Sequence, residues 1–318
     1  MAITALSLVF IRDLFAVVML LGIFSLVSAG FFLTLGAPDV ALAGAAIAAR
    51  IAPMLVLAVP GATSSREKRH THSPIIPLLV VGVTGAALVY GTLDMPHFTD
   101  PSAPVHNHVA PRYIERTEHE TGVHNIVTAV LASYRGFDTL GEVVVIFTAG
   151  IGVLALLGLA GSPDNTPSTT NMRRHTVLRV ISKSLMPLIL IFALYMQFHG
   201  DYGPGGGFQA GVLFAAAFIL YAMVFGHVAA QKAVSPRFLL ALMCLGVLTY
   251  GGTGVAAMLM GGEFLGYDAL SYDPVHGQHL GILLVEFGVG LTVASVMMSI
   301  FYSISGLPQA PTEGQGGS

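Results

Sequence analysis

The chain has 318 residues, of which 54% are hydrophobic and 10% charged, and its mean hydropathy is +0.76. That is less than half the charge of a soluble domain, which averages about 25% charged residues. Only 14 Lys and Arg stand against 17 Asp and Glu, a net charge of -3, which excludes a nucleic-acid-binding surface and charge-driven disorder. The single cysteine, Cys244, excludes a disulfide framework and a cysteine-built metal site. What remains is an all-α polytopic membrane protein.

A bilayer core about 30 Å thick needs roughly 20 apolar residues per helix. In chain order, Met1–Ile11 is apolar but too short to cross, and Arg12 and Asp13 interrupt it. Eight longer runs follow: Leu14–Leu35, Val40–Val59, Ile75–Leu93, Leu140–Leu159, Leu178–Phe198, Phe208–Phe225, Phe238–Met260 and Leu280–Ile304. The first has no small-residue cleavage site after it and reads as a retained span, not a signal peptide. The runs are continuous, not alternating, which excludes a β-barrel. The expected fold is therefore about eight transmembrane helices.

The loop charges orient them. Arg66, Lys68 and Arg69 follow the second run, Arg173 and Arg174 precede the fifth, and Lys232 and Arg237 lie between the sixth and seventh. With eight alternating spans these loops share one side, so both termini are expected in the cytoplasm of a bacterial cell whose plasma membrane the chain crosses. Residues 161–176, rich in Ser, Thr, Asn and Pro, read as a linker. They divide a four-helix front module, 1–160, from a four-helix back module, 177–305. The Gly-, Pro- and Gln-rich tail 306–318 reads as disordered.

Ionisable side chains in hydrocarbon cost at least about 2.5–3.5 kcal/mol each, so they are the first functional candidates. Glu286 stands between Gly-Ile-Leu-Leu-Val and Phe-Gly-Val-Gly-Leu. It reads as a proton- or cation-handling group, or as a structural carboxylate bonded to another helix. Asp138 and Glu142 lie four residues apart, which places them on one helical face at the start of a span. Asp138 also suits the positive end of the helix dipole, whereas Glu142 lies deeper than capping explains. Arg50 sits midway along its run and needs a carboxylate, carbonyls or water to face. Asp39, after Pro38, reads as a helix-start residue.

Between the fifth and sixth runs lies His199-Gly-Asp-Tyr-Gly-Pro-Gly-Gly-Gly207. It lacks the Lys-Ser/Thr ending of a phosphate loop. Its glycines and proline force a tight turn, where His199 and Asp201 are candidates for an ion mouth. The segment Asp94–Thr121 carries His97, His106, His108 and His119 at spacings that match no zinc pattern. No metal or cofactor is expected, and no nucleophile triad or nucleotide motif marks an enzyme.

These motifs carry a resemblance. Leu185–Gly211, with its Gly-Pro-Gly-Gly-Gly-Phe core, closely resembles the B subunit of multisubunit Na+/H+ antiporters of the Mrp (Mnh) type, and Val285-Glu-Phe-Gly-Val-Gly-Leu-Thr-Val293 is similar to that family's last helix. Gly36-Ala-Pro-Asp-Val-Ala-Leu42 and Tyr134-Arg-Gly-Phe-Asp-Thr-Leu-Gly-Glu142 are similar to the C-terminal part of the Mrp A subunit. Those pieces also occur as separate subunits, MbhD-like and MbhE-like, in membrane-bound hydrogenases. The resemblance implies a transporter subunit, an A-subunit tail fused to a B subunit, working with other Mrp subunits in lipid to exchange Na+ for H+. The alternatives are a membrane-arm subunit of a complex I-like or hydrogenase-like redox pump and a purely structural scaffold. Two departures stand out: Gly44 occupies a family glutamate position, and Arg50 replaces a small residue further along the same helix.

Overall fold

The computed structural model describes residues 1–46, 75–97, 99–158 and 176–306. Arg50, most of the 161–176 linker and the tail beyond Gly306 lie outside the described residues. Two compact units are present: residues 1–66 with 117–318, and residues 67–116.

The larger unit begins with α1 (Ala2–Phe10), α2 (Leu14–Thr34) and α3 (Pro38–Ala46). Asp13 caps α2 by accepting from the Ala16 amide at 3.0 Å, and Pro38 opens α3 at a position where its missing N–H costs nothing. The unit of residues 67–116 contains α4 (Ile75–Thr92) and α5 (Pro104–Asn107). Between α4 and α5, Asp100 accepts two hydrogen bonds from Ser102, from Oγ and from the amide, which hold its carboxyl below the usual range. Helix α6 (Ala110–Thr121) spans the boundary in sequence.

The larger unit continues with α7 (Ile126–Ala129), which runs into a π-helical turn, Val130–Tyr134, and then α8 (Gly136–Leu157). The same unit goes on with α9 (Thr176–His199), α10 (Gly207–Phe225), α11 (His227–Ala233), α12 (Pro236–Leu259), a 3-10 turn (Tyr267–Leu270) and α13 (Pro274–Ser305). Local chemistry sets these ends. Ser235 and Asp273 cap α12 and α13, each followed by proline at the first helical position. Gly226, at φ +96°, separates α10 from α11 in a conformation that a side chain disfavours.

Seven of these helices are long and apolar enough to cross a membrane among the described residues: α2, α4, α8, α9, α10, α12 and α13. The expected run Val40–Val59 is described only as far as α3 reaches. Helix α13, with 32 residues, is about 48 Å long at 1.5 Å per residue and overshoots the hydrocarbon.

Helix α13 is the axis of the larger unit. Its apolar window is 56% buried, as is that of α10, against 11% for α2. Val285, Val289, Val293, Met298, Phe301 and Tyr302 pack against α8, α10 and α12 in one core. Apolar burial alone does not bring helices together in lipid, so close backbone approach has to do so. Glycines provide it. A methyl on Gly211 of α10 would stand 2.7 Å from the Gly290 carbonyl of α13, and one on Gly288 would stand 2.8 Å from the Gly246 carbonyl of α12.

Gly211→Val is therefore expected to destabilise the chain by about 1–3 kcal/mol through overpacking, read as a lower unfolding midpoint in detergent. Gly252 of α12, which has open space around a built methyl, is the control: Gly252→Ala should leave the midpoint unchanged or raise it by about 0.5–1 kcal/mol. Equal effects at the two positions would remove the close-packing account.

Candidate functional site

At one end of the larger unit, the turn between α9 and α10 folds over Glu286 of α13. Gly206, the residue before α10, has φ +109°. A methyl on Gly206 would lie 2.8 Å from Oε1 of Glu286, and one on Gly200 would lie 3.2 Å from Oε2 and 2.8 Å from Gly206 Cα. The Gly206 amide donates back to the Met196 carbonyl at 2.9 Å, closing the turn on α9. The glycines thus make a cradle that brings peptide backbone against a carboxylate. The start of α10 sits over the same carboxylate, where a helix N-terminus favours negative charge.

Residues 124–128 clamp this turn. Asn125 donates through Nδ2 to the Gly203 carbonyl at 2.8 Å and to Oδ1 of Asp39 at 3.3 Å. The Thr128 hydroxyl donates to the Gly200 carbonyl at 2.7 Å. The amides of His124 and Asn125 both donate to the Asp201 carbonyl, at 3.1 and 3.0 Å. A second set of bonds joins α12, the 3-10 turn and α13 to the π-helical turn and the start of α8. Tyr250 donates to the Gly136 carbonyl at 2.8 Å, Tyr267 to the Ala132 carbonyl at 3.0 Å, and Ser133 to Oε1 of Gln278 at 2.7 Å. Burial pushes the Tyr267 phenol well above its usual range, so it remains a neutral donor.

Between these clamps lies a cavity of about 270 Å³, and three carboxylates line it: Asp39 from α3, Glu142 from α8 and Glu286 from α13. Thr139, Gln209 and Tyr250 add polar atoms, while Val127, Leu131, Val143, Ile146, Val285 and Val289 make most of the wall. The π-helical turn shapes one side, and the carbonyl of Leu131 accepts from the Thr139 hydroxyl at 2.7 Å. Glu286 and Asp39 are half-buried, while Glu142 is exposed on the α8 face.

Glu286 also borders a second, small cavity of about 20 Å³ with Gln197, Phe198, Asp201, Leu283 and Phe287. That is room for one water molecule. On its far side Asp201 Oδ2 lies 2.9 Å from Nε2 of His279, whose side chain is 41% exposed.

The residues singled out in the sequence separate here. Glu286 and Glu142 line one cavity, and Asp201 lies next to Glu286 across the small one. Asp138 does not enter the cavity. Although it lies one turn from Glu142, it is exposed at the start of α8, where Arg135 holds it at 2.5 and 2.7 Å. His199 lines neither cavity; its ring stacks on Tyr195 at 4.8 Å and lies beneath Gly203, where a methyl would be 3.0 Å from Nε2. Arg50 lies outside the described residues.

Sequence reading missed Asp39, whose position after Pro38 reads as capping, and His279. The signal for His279 is its spacing: seven residues before Glu286, two turns along α13. Among the described residues no three His, Cys, Asp or Glu side chains come close enough to hold a metal ion together. The three cavity carboxylates line one cavity without forming such a group.

Three family profiles cover the chain in order. Residues 1–64 match MbhD, the D subunit of MBH, and residues 69–173 match MbhE, the E subunit of MBH. Residues 177–299 match MnhB, "Domain related to MnhB subunit of Na+/H+ antiporter". Among curated proteins, the "Putative antiporter subunit mnhB2" of Staphylococcus aureus (strain Newman) is 34% identical over 133 residues, 41% of this chain and 94% of that protein. A probable K(+)/H(+) antiporter A/B subunit of Rhizobium meliloti (strain 1021) is 28% identical over 211 residues, 59% of this chain. The matched region spans 20% of that protein's length.

Among solved structures, a chain of the Mrp complex from Dietzia sp. DQ12-45-1b superposes with a TM-score of 0.76 at 25% identity, covering 98% of this chain and 34% of that one. A chain of the membrane-bound sulfane sulfur reductase, an archaeal respiratory membrane complex, superposes at 0.54 with 29% identity, covering 71% and 97%. The chain thus covers nearly the whole length of a curated relative, and its MnhB-matching segment follows segments that match MbhD and MbhE in order. This chain belongs to the MnhB-related family of antiporter subunits.

Proposed function

We propose that the chain is a multi-pass subunit of an Mrp-type antiporter in the bacterial plasma membrane, exchanging a monovalent cation for protons together with other subunits. Asp39, Glu142 and Glu286 line the path on which the two ions meet. One observation carries this reading: the cavity takes one carboxylate from each of the three segments that match separate family profiles. Packing alone gives no reason for three such segments to converge on acids.

The chemistry follows from the surroundings. Three negative charges in a largely apolar cavity repel one another and lose hydration, so they hold counter-ions, either protons or a cation. Each proton that leaves a carboxylate makes room for one positive charge, and that exclusion is the elementary step of exchange. The family description names Na+ and the Rhizobium relative K+, so both are candidate cargoes. The exposed flank of Glu142 is the natural side for a partner protein of the complex. The chain matches only a third of the Mrp structural chain, and on this reading it exchanges nothing alone.

A second reading has its own support. The likeness to a respiratory reductase chain and to the hydrogenase-type MbhD and MbhE profiles favours a redox-driven machine with the same membrane path. Exchange in the fully assembled complex, energised by a pH gradient with no electron donor, supports the antiporter; a strict need for a donor supports the pump.

Glu286→Gln, Glu142→Gln and Asp39→Asn keep side-chain size and remove titration. Each is expected to lower cation/proton exchange per assembled complex at least about tenfold, equivalent to about 1.4 kcal/mol in a barrier. Wild-type exchange in all three leaves the scaffold reading in place. The sidedness is tested separately in a Cys244→Ser background. Cysteines placed at Ser102 and Ser168 should react with an impermeant reagent from the periplasmic and cytoplasmic sides respectively, and the opposite pattern inverts the topology.

A further inference from the structure

We propose that His279 and Asp201 form the proton relay connecting Glu286 to the membrane surface at the glycine-turn end. This rests on the reading of Glu286 as part of the ion path, and adds the route by which its proton arrives. The observation is a continuous chain of groups. His279 is exposed on one side and places Nε2 2.9 Å from Asp201 Oδ2. The Asp201 side chain is only 15% exposed and shares with Glu286 the cavity that has room for one water. Phe198, Leu283 and Phe287 form the apolar rim, so the polar atoms bordering that space are those of Gln197 and the two carboxylates.

The geometry is fixed on both sides. The Asp201 carbonyl is held by the amides of His124 and Asn125, and a methyl on Gly122 would lie 3.9 Å from His279 Cβ, so the segment after α6 packs against the histidine. Titratable groups on the flanking segments have partners of their own. Glu118 pairs with His124 at 3.1 Å, the His124 ring stacks on Tyr202 at 5.5 Å, and Asp273 pairs with His276 at 3.4 Å on the first turn of α13. Asp201 is left as the acceptor for the inward-facing nitrogen of His279.

The transfer balances with one proton and no electrons. A proton from bulk water binds Nδ1 of His279, the Nε2 proton passes to Asp201 Oδ2, and the ring is left neutral as the other tautomer. Asp201 passes the proton through one water to the Glu286 carboxylate, and the imidazole returns to its starting tautomer by exchange with the bulk. In the opposite sense the same steps release a proton. His279 is thus a positioning and relay residue, and Glu286 remains the group that meets the cation.

The test uses the complete complex in vesicles, with exchange measured per assembled complex across pH. Glutamine at 279 keeps a donor for Asp201 but carries no proton onward. His279→Gln is expected to slow exchange about tenfold or more, less than the full effect of a positioned acid–base group. Millimolar imidazole on the glycine-turn face should restore the rate, and imidazole on the opposite face should not. Asp201→Asn should slow exchange similarly and resist rescue, because its block lies beyond the point that imidazole reaches. Wild-type rate and pH profile in His279→Gln, or slowing that imidazole leaves unchanged, overturns the relay. Glu286→Gln is measured in parallel. If it abolishes exchange while His279→Gln is silent, the relay fails and the ion path stands; if it too is silent, the path itself fails.

Discussion

Everything at the glycine-turn end depends on one constraint: a carboxylate in the middle of an apolar helix must be met by backbone. Glu286 is half-buried on α13, and its neighbours along that helix are glycine, valine, phenylalanine and leucine. The chain answers with a turn whose residues lack side chains where they face the acid. A methyl at Gly206 or Gly200 would collide with the carboxylate oxygens or with the turn itself. The glycine-rich motif is therefore shaped by its partner across the fold. Its tight, ordered conformation also needs outside support, and Asn125 and Thr128 supply donors to the carbonyls of Gly203 and Gly200.

That support crosses the boundary between segments that match separate family profiles. Asn125 and Thr128 belong to the MbhE-matching segment, the turn to the MnhB-related segment, and Asp39, which Asn125 also contacts, to the MbhD-matching segment. A single asparagine thus touches all three. Each buried polar bond of this kind is worth only about 0.5–1.5 kcal/mol, but leaving one of its groups unmet costs about 1–3 kcal/mol. The three segments are consequently tied in register by the same groups that surround the carboxylates, and a shift of one segment would open the cavity wall as well as the joint.

The sequence made some of this legible and hid the rest for physical reasons. Hydropathy and length located the spans, because crossing lipid is a local demand on about 20 consecutive residues. Glu286 stood out because the residues around it in the sequence are all apolar or glycine. Asp39 did not, because Pro-Asp at a helix start satisfies a local rule completely; that the same carboxylate faces a cavity depends on α8 and α13, nearly 100 and 250 residues away. Asp138 shows the converse. Its spacing from Glu142 is helical, but the guanidinium of Arg135 three residues before it holds its side chain at the exposed helix start. His199 sits inside the motif and yet stacks on Tyr195, whereas the histidine that reaches Asp201 lies outside the motif on another helix.

The departure at Gly44 gains a different meaning from the geometry. The glutamate that the family resemblance places at this position is absent, which takes an acid from the first segment. A methyl on Gly44, however, lies 3.9 Å from the Cβ of Ala29. The position faces α2, not the cavity, which α3 lines with Asp39, Val40 and Ala43. A long acidic side chain at 44 would have to turn along the α2–α3 interface to reach the other carboxylates. Asp39 needs no such detour: it lies at the mouth of the helix, already bonded to Asn125, one residue from the apolar wall. The first segment therefore still brings a carboxylate to the cavity without the glutamate, and it does so through the residue whose local role as a helix opener concealed it.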